Sequence, residues 1–146
     1  MIALDTNLIV YAHRADSPFH DLASALLSRL VASGDRWGIP WPCVHEFIAV
    51  VSHPRIYKQP TPIAVALEAI RSLQTVPTLE LIGEGEGYLD CLAALAEPAR
   101  IAGGAIHDAR IAAICKYHGI SELWSADRDF SRFPHLKVRN PLVSRS

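Results

Sequence analysis

Apolar and polar positions come in blocks along this chain. The first, MIAL, runs straight into Asp5, Thr6 and Asn7. So short an apolar block, ended by polar residues, predicts a buried strand. A helix through Ala12 or His13 follows, capped by Asp5 or Thr6. DSPFHDLASALLSRLVASG predicts a second helix, with Ser17 as N-cap, Pro18 in the first turn and Gly34 as the stop. Leu22, Ala25, Leu26 and Leu30 form its apolar stripe. RWGIPW predicts a strand. PCVHEFIAVVSH predicts a helix ended by Pro54, and TPIAVALEAIRSLQT a helix opened by Thr61 and Pro62. LELI reads as a strand, GEGEG as a turn and YLDCLAALAEPA as a helix. GGAIHDARIAAICKYHG is a helix with glycines at both ends, SELWSA a strand, DRDF the start of a loop and LKVRN a last short strand. The alternation predicts an α/β layer structure with a mostly parallel sheet flanked by helices.

Composition narrows the class. The 146 residues are 50% hydrophobic and 20% charged, which predicts one globular domain spanning 1–146. The apolar runs fall short of a membrane span and the N-terminus lacks a signal-type lead-in, so the reading expects a soluble cytoplasmic protein. Cys43, Cys91 and Cys115 are odd in number and widely spaced. They are expected to be buried reduced thiols, not a disulfide framework or a zinc site. A net charge of −1 leaves no general attraction for phosphate, so nucleic-acid binding needs a local patch, a metal or a basic partner.

The acids carry the chemistry. Asp5 ends the first strand, Glu46 lies in the first turns after the second, and Asp127 follows SELWS with Asp129 two residues on. Ligands of open parallel sheets bind beyond the carboxyl ends of strands, so these distant acids can meet there. Asp108 shares a helix face with Ala105, Ile111, Ala112 and Cys115. Glu46 shares one with Cys43, Phe47 and Val50. An acid on an otherwise apolar face is costly unless paired or bound to a cation. First-turn placement eases such a charge through the helix dipole. That does not explain why both acids face the core side. Clustered carboxylates without cations oppose folding, and a hard divalent ion resolves the conflict. This points to metal-dependent phosphate chemistry.

The glycine-rich GEGEG lacks the Lys and the hydroxyl of a phosphate loop, and its glutamates would repel phosphate. His45 and His107 each precede an acid, but neighbouring helix positions point about 100° apart and cannot chelate one ion together. With His13, His53 and His118 they form no zinc pattern. His107 and Arg110 lie on one solvent side and are candidate contacts to a phosphate-bearing substrate.

Four stretches together carry a family resemblance: LDTNLIVYA, PWPCVHEFIAVVSHPRIY around Glu46, GGAIHDARIAAI around Asp108, and LWSADRDFSRF. In this order and spacing the chain resembles a PIN-domain ribonuclease of the VapC toxin type, from Met1 to about VRNPL. The resemblance implies a PIN-like three-layer sandwich and a Mg²⁺- or Mn²⁺-dependent endoribonuclease. The family's acid positions match Asp5, Glu46, Asp108 and Asp127. By resemblance, Asp5 and Asp108 are the surest metal ligands, and Glu46 and Asp127 complete the set through water or a second ion. Thr6 and Asn7 match positions that support the first Asp, and Ser125 a frequent Ser/Thr before the last acid. Between Asp127 and Asp129 the strand favours Asp127, while Phe130 anchors the loop.

The resemblance also implies a toxin acting on single-stranded regions of cellular RNA. A small cognate VapB-like antitoxin would hold it, in a groove suited to the first, second and fourth helices, and a homodimer is expected. A haloacid-dehalogenase-type phosphatase also places an Asp after its first strand, but needs a second Asp where Asn7 stands. A catalytically inactive PIN-fold module that binds RNA or a partner is the alternative, and the complete acid set argues against it.

Overall fold

A computed structural model describes residues 1–127 and 129–143. Five strands form one all-parallel sheet in the order β3-β2-β1-β4-β5: β1 Ile2–Leu4, β2 Trp37–Pro40, β3 Leu79–Ile82, β4 Glu122–Trp124 and β5 Val138–Arg139. The helices are α1 Thr6–His13, α2 His20–Ser33, α3 Trp41–Val51, α4 Ile63–Gln74, α5 Tyr88–Ala96 and α6 Ile106–Tyr117. The chain steps outward from β1 through β2 to β3, then returns across to β4. With right-handed crossovers, that reversal puts α1–α4 on one face of the sheet and α5–α6 on the other. The expected α/β architecture, a mostly parallel sheet with flanking helices, is what the chain adopts.

Leu4, Ile39 and Leu123 of the central strands are fully buried, as are Phe47 and Val51 of α3 and Ala113 and Ile114 of α6. These strands are buried on both faces, which explains their continuous apolar runs. None of the described helices is long and apolar enough to cross a membrane.

Some boundaries differ from expectation. The second helix begins at His20, because residues 17–20 make a tight turn in which Ser17 Oγ accepts the Phe19 N–H at 3.1 Å. Its buried stripe is Ala23, Leu26 and Leu30, whereas Leu22 and Ala25 are exposed. The shift in register puts Ala23 inward. Gly34 does stop the helix, at φ 75°, a conformation that favours glycine. The GGA stretch is a separate 3₁₀ turn, Gly103–Ala105, ahead of α6. Cys43 and Cys115 are buried and Cys91 is half-buried.

GEGEG is the turn expected, and α6 clamps it. Arg110 pairs with Glu84, Tyr117 donates to the Glu86 carbonyl at 2.7 Å, and His118 Nε2 lies 2.7 Å from the Gly83 carbonyl. A Cβ on Gly85 would stand 2.7 Å from the Tyr117 hydroxyl, so close packing requires glycine there.

Candidate active site

The reversal of strand order falls between β1 and β4. In such sheets the crevice past the carboxyl ends of the two strands is where ligands bind. In-register pairing of Leu4 with Trp124 sets Asp5 beside Ser125. The Asp5 N–H continues the ladder, donating to the Trp124 carbonyl at 2.9 Å. Asp5 is 4% exposed and is also the N-cap of α1. Its Oδ1 accepts the Thr6 N–H at 2.8 Å and the Cys43 thiol at 3.4 Å, and its Oδ2 accepts the Ser125 hydroxyl at 2.6 Å.

Ser125 is the hub. A hydroxyl has one proton and two lone pairs. The proton goes to Asp5. The lone pairs accept Asn7 Nδ2 at 3.3 Å and the Asp127 N–H at 2.9 Å. Asn7 Oδ1 accepts the Ala126 N–H at 3.1 Å, so one asparagine ties α1 to the loop after β4. The Thr6 hydroxyl donates to Glu46 Oε2 at 3.0 Å, joining α1 to α3. Both residues after Asp5 thus orient the site, one toward each neighbouring acid.

Asp5, Glu46, Asp108 and Asp127 all line one cleft of about 260 Å³, together with Thr6 and Asn7. They come from four different segments of the chain. Asp108 stands in the first turn of α6 and Glu46 sits at the rim. Among the described residues, no Lys or Arg lines the cleft. Burial raises the Asp5 carboxyl above its usual range, against the hydrogen bonds of Ser125, Thr6 and Cys43, and the Asp127 charge adds to the rise. Burial also raises Glu46, opposed by the Thr6 hydroxyl and reinforced by the charges of Asp5, Asp108 and Asp127. The Cys43 thiol is pushed well up, first by burial and then by Asp5, so it stays protonated and donates.

The cleft brings together the four acids, Thr6 and Asn7, and Ser125 joins them through its hydrogen bond to Asp5. It does not bring in His107, which is exposed, or Arg110, which Glu84 engages. The side chain of Asp129 lies outside the described residues, while Phe130 is buried against the cleft floor. Three lining or supporting residues were not singled out from sequence: Cys43 as a donor to Asp5, and Tyr11 and Tyr57 in the cleft wall. Tyr11 lies one turn beyond Asn7 on the same helix face, and that spacing could have found it. Tyr57 lies in a loop, where no periodicity marks it.

Comparison with known proteins agrees with this architecture. The PIN domain model matches residues 2–136. Ribonuclease VapC48 of Mycobacterium tuberculosis is 33% identical over 137 residues, covering 94% of each chain. Ribonuclease VapC43 of the same organism is 35% identical over 142 residues, covering 97% of this chain and 96% of that one. The fold is similar to that in the crystal structure of VapBC2 from Rickettsia felis bound to a promoter DNA fragment, with a TM-score of 0.68 at 22% identity over 95% of this chain and 98% of that one. The chain belongs to the PIN-domain family and, within it, to the VapC ribonucleases.

Proposed function

We propose that this protein is a metal-dependent endoribonuclease, the toxin of a toxin–antitoxin pair acting in the cytoplasm on single-stranded cellular RNA. The observation that carries the proposal is the convergence of four carboxylates from distant segments on one cleft. Membership among proteins named ribonucleases supports the same reading.

Among the described residues no group of three His, Cys, Asp or Glu is already gathered as a metal cage. The donor set nevertheless fits one class of ion. It consists of carboxylate oxygens, with no imidazole or thiolate in the lining. That suits Mg²⁺ or Mn²⁺, which take few protein ligands and retain several waters. Asp5 and Asp108 would hold the ion most directly, with Glu46 and Asp127 completing the set. When bound, the ion supplies positive charge to the phosphate being attacked and acidifies a water for hydrolysis.

The chain's own residues prepare that reaction. Ser125 fixes the Asp5 carboxylate in one rotamer, and Asn7 fixes Ser125. Thr6 turns Glu46 toward the cleft. Buried hydrogen bonds of this kind hold ligands within a narrow geometry, so little reorganisation is needed when substrate arrives.

An antitoxin partner fits another surface. Ile9, Ala12, Leu27, Phe47, Ala69 and Leu73 line an apolar groove of about 300 Å³. Ala12 and Leu27 also line its continuation of about 480 Å³ along α2. The groove runs over α1, α2 and α4 and suits an amphipathic helix. An arginine carried on the same segment would pair bidentately with the acidic cleft. A structural neighbour from Klebsiella pneumoniae is a toxin–antitoxin complex, in keeping with such a partner. A homodimer is part of the same proposal.

The test is direct. Purified protein should cleave RNA with Mg²⁺ and stop with EDTA, and its expression alone should arrest growth until a neighbouring small gene is co-expressed. Harmless high-level expression of active protein would leave a nuclease without a toxin's role.

A further inference from the structure

On the nuclease reading the acidic cleft binds a polyanion, and among the described residues no Lys or Arg lines it. Its wall does contain Tyr11 and Tyr57. The Tyr57 ring is backed on one face, and the Tyr11 ring packs tilted against Phe19. The Arg14 guanidinium carbon lies 3.9 Å from the Tyr57 ring centroid, and the Phe19 ring centroid lies 5.1 Å from that of Tyr11. Neither Arg14 nor Phe19 lines the cleft, so the backing groups are set behind the rings and not in the path of a ligand.

We infer that Tyr57, held from behind by Arg14, together with Tyr11, forms a stacking wall for a nucleobase next to the phosphate that is cut.

Arg14 is committed elsewhere and cannot serve as the phosphate contact itself. Its Nε and Nη2 donate to Asp16 at 2.9 and 2.6 Å, and its Nη1 to the Gln59 carbonyl at 2.9 Å and Thr61 Oγ1 at 3.2 Å. Its side chain is 11% exposed and its charge is met by Asp16. Such a clamp gives one product that faces the cleft: a fixed Tyr57 ring. Unstacked bases of single-stranded RNA settle on aromatic faces, and this contact tolerates any sequence because every base has a π-face. It therefore adds binding that does not depend on charge. The adjoining cavity of about 420 Å³ shares Asp127 and Phe130 with the cleft, but there Phe130 and Phe133 are buried, so no ring is offered for stacking.

The inference rests on the nuclease reading, and the experiment separates the two. Cleavage of a single-stranded hexanucleotide with Mg²⁺ is measured for the wild type, Tyr57→Phe, Tyr57→Leu and Arg14→Lys. Tyr57→Leu keeps apolar bulk without a π-face. It should raise KM at least about tenfold with kcat nearly unchanged, while Tyr57→Phe stays close to the wild type. Arg14→Lys, which loses the planar fork over the ring, should fall between them as a positioning residue. A second measurement needs no cleavage. A hexauridylate with one 2-aminopurine should be quenched by an Asp108→Asn protein, and not by the same protein carrying Tyr57→Leu. Wild-type KM in folded Tyr57→Leu, or undiminished quenching by it, would overturn the stacking wall while leaving the nuclease intact. If the wild type cuts no RNA the nuclease reading fails, and the quenching measurement alone decides the wall.

Discussion

Two carboxylates lie on adjacent parallel strands at opposite ends of the sheet. Glu122 opens β4 beside Ile2, and Asp5 follows the last residue of β1. Burial acts on both. At Glu122 its upward push is more than reversed by the Trp124 indole N–H, by Lys137 and by Arg139, so the carboxyl is held below its usual range. At Asp5 the groups that answer burial, among the described residues, are neutral donors, Asp127 adds a like charge, and the carboxyl is held above its usual range. Among the described residues the same sheet thus sets cations against an acid at one end and neutral donors against an acid at the other. A protein can neutralise a half-buried acid with its own side chains when structure is all that is needed. A carboxyl held above its usual range by burial and a like charge is a cost to folding, and it makes sense if a cation arrives there with a ligand.

The strongest way to break this comparison is to remove a charge from the open end. Asp5→Asn and Asp108→Asn should each lower RNA cleavage by more than roughly 100-fold, above the loss typical of outer supporting residues. The wild type should also gain thermal stability from Mg²⁺, by ~2.7 kcal/mol at a concentration one hundred times Kd. Both variants should lose most of that gain. Wild-type stabilisation by Mg²⁺ in Asp5→Asn, read by calorimetry, would show that this carboxylate is not part of an ion site.

A smaller effect is expected one layer out. Ser125→Ala leaves every acid in place but removes the proton donated to Asp5 and the acceptor used by Asn7 and Asp127. We expect cleavage to drop about 10–100-fold. Stability should fall by about 1–3 kcal/mol, because buried polar groups lose partners. Titrating Mg²⁺ separates the two effects: weaker apparent metal affinity marks a role in orienting Asp5, and a fall in melting temperature alone marks a structural one.

Much of this was legible in the sequence because the relevant signals are local and periodic. MIAL followed by a polar cluster gave the strand and its terminal acid. The i, i+3, i+4 faces of α3 and α6 picked out Glu46 and Asp108. What stayed hidden depends on tertiary geometry. The hub role of Ser125 requires the pairing of Leu4 with Trp124, a contact between residues 120 positions apart that no local pattern encodes. Helix starts were blurred where Ser-Pro makes a turn of its own, as at residues 17–20, since the same residues favour turns and caps. Arg110 was read as exposed and available by its helix phase, yet its partner Glu84 comes from a loop whose path only the fold determines.

The closed end of the comparison sharpens under acid. Glu122 has its folded-state pKa below the ordinary 4.5. It therefore contributes stability at and above that pH, and the contribution disappears as pH falls through the lower folded-state value. Glu122→Gln should be less stable than the wild type by about 1 kcal/mol or less at pH 7, since Lys137 and Arg139 are largely solvated. The gap should narrow below pH 4.5 and with added salt. A gap that is constant from pH 7 to pH 3 would assign the effect to packing and not to charge.

The smallest effect concerns Arg110, one turn from His107 on the face first assigned to RNA. A cation that meets a phosphate lowers the salt slope of binding by about one unit when it is removed. Arg110, however, already has Glu84 against it, and that pairing raises the guanidinium pKa while lowering that of the glutamate. Recruiting it to a phosphate means giving up one carboxylate for another anion, with little net gain for a pair this solvated. Arg110→Ala should therefore change the salt slope by less than about one unit and stability by about 0–1 kcal/mol. Glu84→Gln sharpens the measurement, because it releases Arg110 without removing it. If RNA binding tightens in Glu84→Gln and the gain vanishes in the double variant, Arg110 can reach phosphate and Glu84 restrains it. If neither variant alters binding, the clamp on the GEGEG turn is its whole role.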